Sequence, residues 1–124
     1  MEQINKYFFD TYALFEILNN NPKYQKYLDV DFVISTLNLY EFYYNLIKEG
    51  NSEEDAKVQL NSFISKEIVI TEEDIINSSH LKLKNKELSI PDCFGYVIAK
   101  RLNIRFLTGD KEFKTMDNVE FVTK

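Results

Sequence analysis

Histidine, cysteine, glycine and proline are scarce in this 124-residue chain, and tryptophan is absent. The single cysteine, Cys93, cannot form an internal disulfide and excludes a cysteine-rich zinc site. The single histidine, His80, excludes a two-histidine HExxH metal site, and its NSSH surroundings contain no nucleophile elbow for a Ser-His-Asp triad. We expect His80 at the surface and Cys93 in the core. Any catalytic chemistry therefore depends on carboxylates.

Excess positive charge and long apolar runs are also lacking. The 15 Lys and Arg residues are outnumbered by 20 Asp and Glu, and the formal net charge of −5 argues against nucleic-acid binding by a basic surface alone. No apolar run approaches the ~18–20 residues of a membrane span. The N-terminal MEQINK lacks the basic and then apolar pattern of a signal peptide. We therefore expect a cytoplasmic protein without membrane contact.

Apolar strands alternate with helical segments along the chain. The composition, 44% hydrophobic with few glycines and prolines, indicates one globular domain spanning residues 1–124. Strands are expected at residues 4–9, 31–36, 66–71, 104–108 and 119–122. Helices are expected at residues 11–18, 37–48, 52–64, 71–84 and 89–102, with short helical segments at 22–28 and 111–116. This alternation predicts an α/β fold whose parallel sheet is covered by helices on both faces.

Carboxylates follow two of the predicted strands. Asp10 comes directly after the first strand, and Asp110 lies within two residues of the fourth. Ligands of such sheets bind outside the carboxyl ends of the strands, so both residues are candidates for a site. Each has a simpler interpretation as a helix N-cap, Asp10 for the first helix and Asp110 for the segment KEFKTM, and taken singly capping is the commoner role.

Asp92 is the third candidate. Acidic residues are favoured in the first turn of a helix by the helix dipole, which gives this residue an ordinary structural explanation. Its neighbours on the helix, Gly95, Tyr96 and Ala99, are small or apolar, however, so this face is expected to be at least half buried. A buried carboxylate needs a partner or a cation.

Glu41 is the weakest candidate on physical grounds. It shares a helical face with Asn38, Asn45 and Lys48, roughly opposite an apolar arc. Periodicity alone therefore places Glu41 and its neighbours in solvent.

Three segments of the chain, FFDTYAL, STLNLYEFYYNLIK and LSIPDCFGYVIAKRLNIRFLTGDKEF, resemble the PIN-domain family, including VapC-type toxin ribonucleases. The resemblance extends over nearly the whole chain and is most specific in the last segment. It implies a three-layer α/β/α sandwich around a central, mainly parallel five-stranded sheet. The acidic positions of the family match Asp10, Glu41, Asp92 and Asp110, and Thr108 matches a frequent hydroxyl position.

The resemblance also implies a function. The four acidic residues would hold Mg²⁺ or Mn²⁺ for hydrolysis of RNA phosphodiester bonds, with Thr108 in the same cluster. Many relatives are homodimers, and many are toxins neutralised by a small antitoxin protein. Hard divalent ions prefer carboxylate and water ligands, and four carboxylates without a cation would repel one another, so the residue types suit a metal site.

Other interpretations of an acidic sheet edge fit the spacing poorly. A receiver domain would have an acidic pair after strand one and an aspartate after strand three, where this chain has Thr71 and Glu72. A D-x-D phosphatase would have an aspartate in place of Tyr12. The remaining alternative is a catalytically inactive PIN-like module that binds RNA or a protein partner.

Two further groups of side chains are candidates for contacts with partners. Aromatic residues that suit either the core or a partner are Phe15, Tyr40 and Tyr44. Basic residues that suit either solvent or RNA phosphates are Lys82, Lys84, Lys86, Lys100, Arg101, Arg105, Lys111 and Lys114.

Overall fold

The computed structural model describes residues 6–123. Its five strands are β1 (Lys6–Phe9), β2 (Asp31–Ser35), β3 (Glu67–Ile68), β4 (Arg105–Thr108) and β5 (Val119–Phe121). The five α-helices are α1 (Thr11–Leu18), α2 (Thr36–Lys48), α3 (Glu53–Ile64), α4 (Glu72–Lys84) and α5 (Ile90–Leu102). Short 3₁₀ helices occupy Pro22–Tyr27 and Lys111–Phe113. Every predicted segment has a counterpart, with small differences at the ends except in the third strand.

The strands form one sheet in the order β3-β2-β1-β4-β5, and each neighbouring pair is parallel. Strands β2 and β3 are added in sequence on one side of β1, and strands β4 and β5 are then added on its other side. The direction of winding therefore changes between β1 and β4, where Phe8 is paired with Phe106. A crevice at the carboxyl ends of two such strands is the usual ligand site of this architecture.

Alternating side chains of β1 build a separate core on each face of the sheet. Phe9, buried to 1% exposure, packs in the core under α1, α2 and α3, together with Leu107 of β4. Phe8, with 0% exposure, lies in the opposite core with Phe106 and the buried side chains of α5. A strand covered on both faces has to be apolar throughout, as β1 is. The predicted three-layer α/β/α sandwich is confirmed.

The largest difference from the prediction is in the third strand. Residues 66–71 were expected to be extended, but β3 comprises Glu67–Ile68 only. It lies at the edge of the sheet and pairs with the last residues of β2, and Val69 beyond it is 80% exposed. The predicted first strand begins at residue 4, and its first two positions lie outside the described residues.

A bidentate ion pair joins the two helices on one face of the sheet. Nε and Nη2 of Arg101 in α5 each donate to a carboxylate oxygen of Asp74 in α4, both at 2.8 Å. Burial alone would raise the pKa of Asp74, but the hydrogen bonds from Arg101 and from the backbone of Thr71 outweigh burial and lower the pKa. Asp74 also closes a capping box with Thr71, so one buried carboxylate fixes both the start of α4 and its position on α5.

His80 is exposed and Cys93 is buried, as expected. Among residues 6–123 no helix has the length and apolar content required to cross a membrane.

Gly95 lets α5 approach the sheet closely. A β-carbon at this position would lie 2.6 Å from Cε1 of Phe8 and 2.8 Å from Cε1 of Phe106, two rings with 0% exposure. We predict that Gly95→Ala lowers the free energy of unfolding by about 1–2 kcal/mol, because overpacking outweighs the gain in helix propensity. Urea denaturation measures the change. Asn61→Ala, at an exposed site in α3, serves as the control, and an unchanged or higher stability of Gly95→Ala would contradict the close approach.

Candidate metal and active site

Asp10 leaves β1 directly into the crevice between β1 and β4. Its backbone N–H donates to the carbonyl of Leu107 at 3.3 Å, which continues the pairing with β4 by one residue. Its Oδ1 accepts a hydrogen bond of 2.7 Å from the N–H of Ala13 and so caps α1. The simpler interpretation of Asp10 as an N-cap is therefore correct, although the residue is only 1% exposed, which capping alone does not require.

Asp110 also caps a helix. Its Oδ1 accepts from the N–H of Glu112 at 2.9 Å at the start of the second 3₁₀ helix, and its own N–H donates to Oγ1 of Thr108 at 3.0 Å. Thr108 is fully buried, and its hydroxyl is hydrogen-bonded to Asp10 as well. Thr108 thus lies behind the two carboxylates and holds both loops in position.

Asp92 and Glu41 come from opposite helical layers. Asp92 is the third residue of α5, and its N–H donates to the capping Oγ of Ser89 at 3.2 Å. It is partly buried, as the small and apolar residues on its helical face predicted. Glu41 projects from the middle of α2 and is also partly buried, so its predicted placement in solvent was wrong. The helical wheel describes one helix only, and this face of α2 lies across a crevice from α1 and α5.

Asn38 also contradicts the helical-wheel prediction, and it is more deeply buried than Glu41. Expected in solvent, it has 0% exposure. Its Oδ1 accepts from Oγ of Ser35 at 2.7 Å, and its Nδ2 donates to Oγ1 of Thr11 at 3.2 Å. Since Thr11 directly follows Asp10 and Ser35 caps α2, this buried network fixes the beginning of α2 against the beginning of α1. It thereby sets the position of Glu41 relative to Asp10.

A cavity of about 400 Å³ brings the four predicted acidic residues together. Its lining consists of Asp10, Thr11, Tyr12, Phe15, Glu41, Asn45, Ser89, Asp92 and Asp110. Within residues 6–123, no Lys or Arg lines this cavity. Among residues 6–123, no three Asp, Glu, His or Cys side chains are grouped closely enough to hold one ion between them. The acidic residues therefore share one cavity without forming a closed cage.

Burial and the like charges in this cavity raise the pKa values of two carboxyl groups. Burial raises the pKa of Asp10 well above its usual range, and the negative charge of Asp92 adds to the effect. Burial, followed by the charges of Glu41 and Asp110, raises the pKa of Asp92 to about 7. Perturbed carboxyl groups in a concave site are typical of functional centres. A cation bound among them would remove this repulsion.

Five lining residues were not predicted as part of the site. Thr11, Tyr12 and Ser89 lie within three positions of a predicted acidic residue in the sequence. Phe15 was considered only for the core or a partner, and Asn45 lies one helical turn beyond Glu41. The signal for Asn45 was available, because residues four apart share a helical face. Its assignment to solvent failed together with that of Glu41.

Three of the predicted phosphate-binding cations form ion pairs within the fold, and Nζ of Lys82 donates to the carbonyls of Lys86 and Leu88. Arg101 holds Asp74, Lys100 donates to Asp117 at 3.0 Å, and Arg105 lies 3.6 Å from Glu120. These ion pairs reduce the positive charge available for a substrate.

The sequence pattern of the PIN domain family matches residues 7–119, which is most of the chain. The chain belongs to the PIN domain family. Members of this family are typically nucleases and generally use divalent metal ions. No curated protein is significantly similar in sequence.

Solved structures with the same fold have low sequence identity to this chain. A toxin–antitoxin complex from Klebsiella pneumoniae has a TM-score of 0.71 and 21% identity over 91% of this chain and 94% of that one. VapBC2 from Rickettsia felis, bound to a DNA fragment from its promoter, has a TM-score of 0.71 and 18% identity over 95% and 98%. A Pyrobaculum aerophilum protein has a TM-score of 0.71 and 21% identity over 94% and 89%. These similarities establish a shared fold.

The raised pKa values predict how stability depends on pH in the absence of metal. Unfolded aspartates titrate near pH 4, whereas folded Asp92 titrates at about 7. Between these values the folded chain retains a proton that the unfolded chain has lost, so the free energy of unfolding falls as pH rises through this window. We predict that Asp92→Asn flattens this dependence and, at pH 8 in EDTA, stabilises the protein by roughly 2 kcal/mol.

Asp55→Asn is the matched control for this measurement. Asp55 is also the third residue of a serine-capped helix, where its N–H donates to Oγ of Ser52 at 3.1 Å, but it is exposed and remote from the cavity. Urea denaturation from pH 4 to 8 compares the variants. If the free energy of unfolding of Asp92→Asn depends on pH as that of wild type does, the neighbouring carboxylates do not raise the pKa of Asp92.

Proposed function

We propose that this PIN domain is a metal-dependent endoribonuclease that hydrolyses RNA phosphodiester bonds, acting as a single catalytic domain spanning residues 1–124. The proposed metal ligands are Asp10, Glu41, Asp92 and Asp110, with Mg²⁺ or Mn²⁺ as the ion. The observation that carries the proposal is the convergence of these four carboxylates on one cavity at the point where the sheet reverses its winding, with Asp10 buried among like charges.

The donor set fits a hard divalent ion. All four proposed ligands supply carboxylate oxygens, and none of the described residues that line the cavity is a competing cation. Mg²⁺ retains several waters and is commonly bound by one or two carboxylates together with substrate phosphate. An open arrangement, in which no three acidic groups are close together, therefore suits Mg²⁺ better than an ion that requires a complete protein cage.

Each residue has a defined task in this proposal. The N–H of Ala13 and the hydroxyl of Thr108 hold the Asp10 carboxylate in a fixed orientation, and Ser89 begins the helix that presents Asp92. The bound ion would supply hydroxide near neutral pH and offset charge on the attacked phosphate. Because Asp10 and Asp110 each commit one oxygen to a helix cap, their positions are set before any ligand arrives.

The second candidate function is binding of RNA or a protein partner without cleavage. The open spacing of the acidic groups is the observation that favours it, since a metal site with fewer direct ligands binds its ion more weakly. A measurement of metal binding distinguishes the nuclease from the non-cleaving module.

We further propose a cytoplasmic homodimer with a small antitoxin protein as partner, the chain acting as the toxin of the pair. Support for the antitoxin comes from the similar structures described as a toxin–antitoxin complex and as VapBC2.

Support for the dimer comes from an apolar groove of about 480 Å³ between α2 and α3. The Tyr40 and Tyr44 rings in this groove are 70% and 54% exposed and stack with centroids 6.3 Å apart. Exposed apolar patches of this kind commonly mark protein interfaces.

Titration calorimetry with Mn²⁺ tests the metal site without any assumption about the substrate. We predict that wild type binds Mn²⁺ and that Asp92→Asn binds at least about tenfold more weakly, because one oxygen ligand and one negative charge are lost. Asp55→Asn, which changes the equivalent position of α3, should bind as wild type does. Circular dichroism verifies the fold of each variant. Absence of binding by wild type would reject the nuclease mechanism and favour the non-cleaving module.

Cleavage of single-stranded RNA is the second readout of the same variants. Asp10→Asn and Asp92→Asn are expected to lose at least about 10²-fold in rate, whereas Asp55→Asn retains activity. Asparagine caps helices as well as aspartate does, so Asp10→Asn removes the charge without removing the cap.

Sedimentation velocity tests the proposed dimer. We predict a dimer for wild type at micromolar concentration and a monomer for the double variant Tyr40→Ser, Tyr44→Ser, since the apolar area of both rings is lost. Val58→Ser, which replaces a 62% exposed apolar residue of α3 outside the groove lining, is the control. A dimer that survives in the double variant would exclude this groove as the dimer interface.

A further inference from the structure

A second, smaller cavity continues the acidic cavity between α1 and the C-terminal end of α2. It measures about 250 Å³ and is lined by Tyr12, Phe15, Glu16, Asn19 and Glu49. Tyr12 and Phe15 line both cavities, so the two spaces meet at these rings.

The residues that line the two cavities lie on one face of α1 and one face of α2, so the two cavities form a single groove between these helices. The α1 residues recur at positions 12, 15, 16 and 19, which lie on one helical face. Glu41 and Asn45 of α2 and its C-cap Glu49 recur every four positions and form the facing wall. From Glu41 to Glu49 the helix rises about 12 Å. The groove thus leads from the proposed metal ligands toward the C-terminal end of α2.

The two rings at the junction are held in place. Tyr12 lies over Gly109, where a β-carbon would be only 2.1 Å from its Cε1, so the ring packs directly on the backbone beside Asp110. Phe15 packs against buried Phe42, with ring centroids 5.0 Å apart. Rings fixed in this way lose little entropy when a flat ligand stacks on them.

The chemistry of the smaller cavity suits a nucleobase better than a phosphate. Its polar groups are two carboxylates, one amide and the Tyr12 hydroxyl, and within residues 6–123 no Lys or Arg lines it. Glu16 is only 8% exposed, and its Oε1 accepts from Nδ2 of Asn21 at 3.2 Å, so its carboxylate is held at the cavity wall. Carboxylates repel phosphate but accept hydrogen bonds from the amino groups of bases, while aromatic rings stack on base faces.

We propose that this groove binds the base of the RNA nucleotide next to the cleaved bond, and that it prefers bases with an exocyclic amino group over uracil. The inference rests on the proposed ribonuclease function, because a phosphodiester at the acidic cavity would place the neighbouring nucleoside at Tyr12 and Phe15. Phe15 supplies the stacking surface. Glu16 and Glu49 accept from the amino group. Uracil has a carbonyl oxygen where cytosine has its amino group, and that oxygen would face a carboxylate.

A fluorescent trinucleotide tests the stacking independently of cleavage. The probe is a single-stranded RNA trinucleotide with 2-aminopurine at its centre, titrated into the Asp92→Asn protein, which by the proposal does not cleave. We expect the fluorescence to be quenched on binding, and Phe15→Leu to weaken binding about tenfold through loss of base stacking. Phe63→Leu is the matched control, because Phe63 is also partly buried and packs on Phe42 with centroids 5.4 Å apart.

Competition with unlabelled trinucleotides tests the base preference. A central cytosine should compete at least about fivefold better than a central uracil, and Glu49→Gln should reduce this difference because an amide offers both donor and acceptor. Glu54→Gln, at an exposed position in α3, should leave the preference unchanged. Glu49 is exposed, so its variant reports on the site even where Phe15→Leu fails to fold.

Each result of the fluorescence and competition experiments either supports or rejects the base site or its base preference. Quenching that depends on Phe15 but not on Phe63, with cytosine preferred over uracil, supports the base site and its preference. If metal binding then fails, the ribonuclease function is rejected while the base site stands. Equal competition by both bases overturns the preference. Absence of quenching overturns the base site, and binding of N-acetylarginine amide to the same rings would then assign the groove to a cationic protein segment.

Discussion

The burial of Asp10 among like charges is the constraint on which the site depends. A carboxylate in such surroundings is costly, and the chain keeps it in place by pairing its backbone with β4, capping α1 with one of its oxygens and bonding it to Thr108. The surrounding fold supplies the rigidity that this position requires. The apolar strand β1 is covered on both faces, so the residue at its carboxyl end has little freedom to turn toward solvent.

Opposite helical layers supply the other proposed ligands. α5 is drawn onto the sheet at Gly95, and α2 is fixed against α1 by the buried amide of Asn38. Both layers extend beyond the carboxyl edge of the sheet, so Asp92 and Glu41 face the crevice from two sides. Disturbing either packing contact would change the distance between acidic groups without altering any of them, which is why the supporting side chains belong to the chemistry of the site.

The sequence predicted the parts of the site that follow from single elements. Strand ends located Asp10 and Asp110, and the small and apolar neighbours of Asp92 predicted its burial. Glu41 and Asn38 could not be placed in this way, because their burial comes from a neighbouring helix that a wheel does not include. The short β3 was overestimated for a similar reason, since an apolar run does not reveal how many residues find a partner strand at an edge. Resemblance to a known family, rather than periodicity, identified Glu41.

The capping role of the two aspartates has an evolutionary consequence. Asparagine is as good an N-cap as aspartate, so one amino-acid replacement at Asp10 or Asp110 would remove a charge and preserve the local backbone. Such a replacement would also relieve repulsion, and selection for stability alone would favour it. Persistence of all four acids in a lineage therefore requires continued selection for what they do together, whereas a lineage released from that selection could drift into an inactive paralogue with an intact fold.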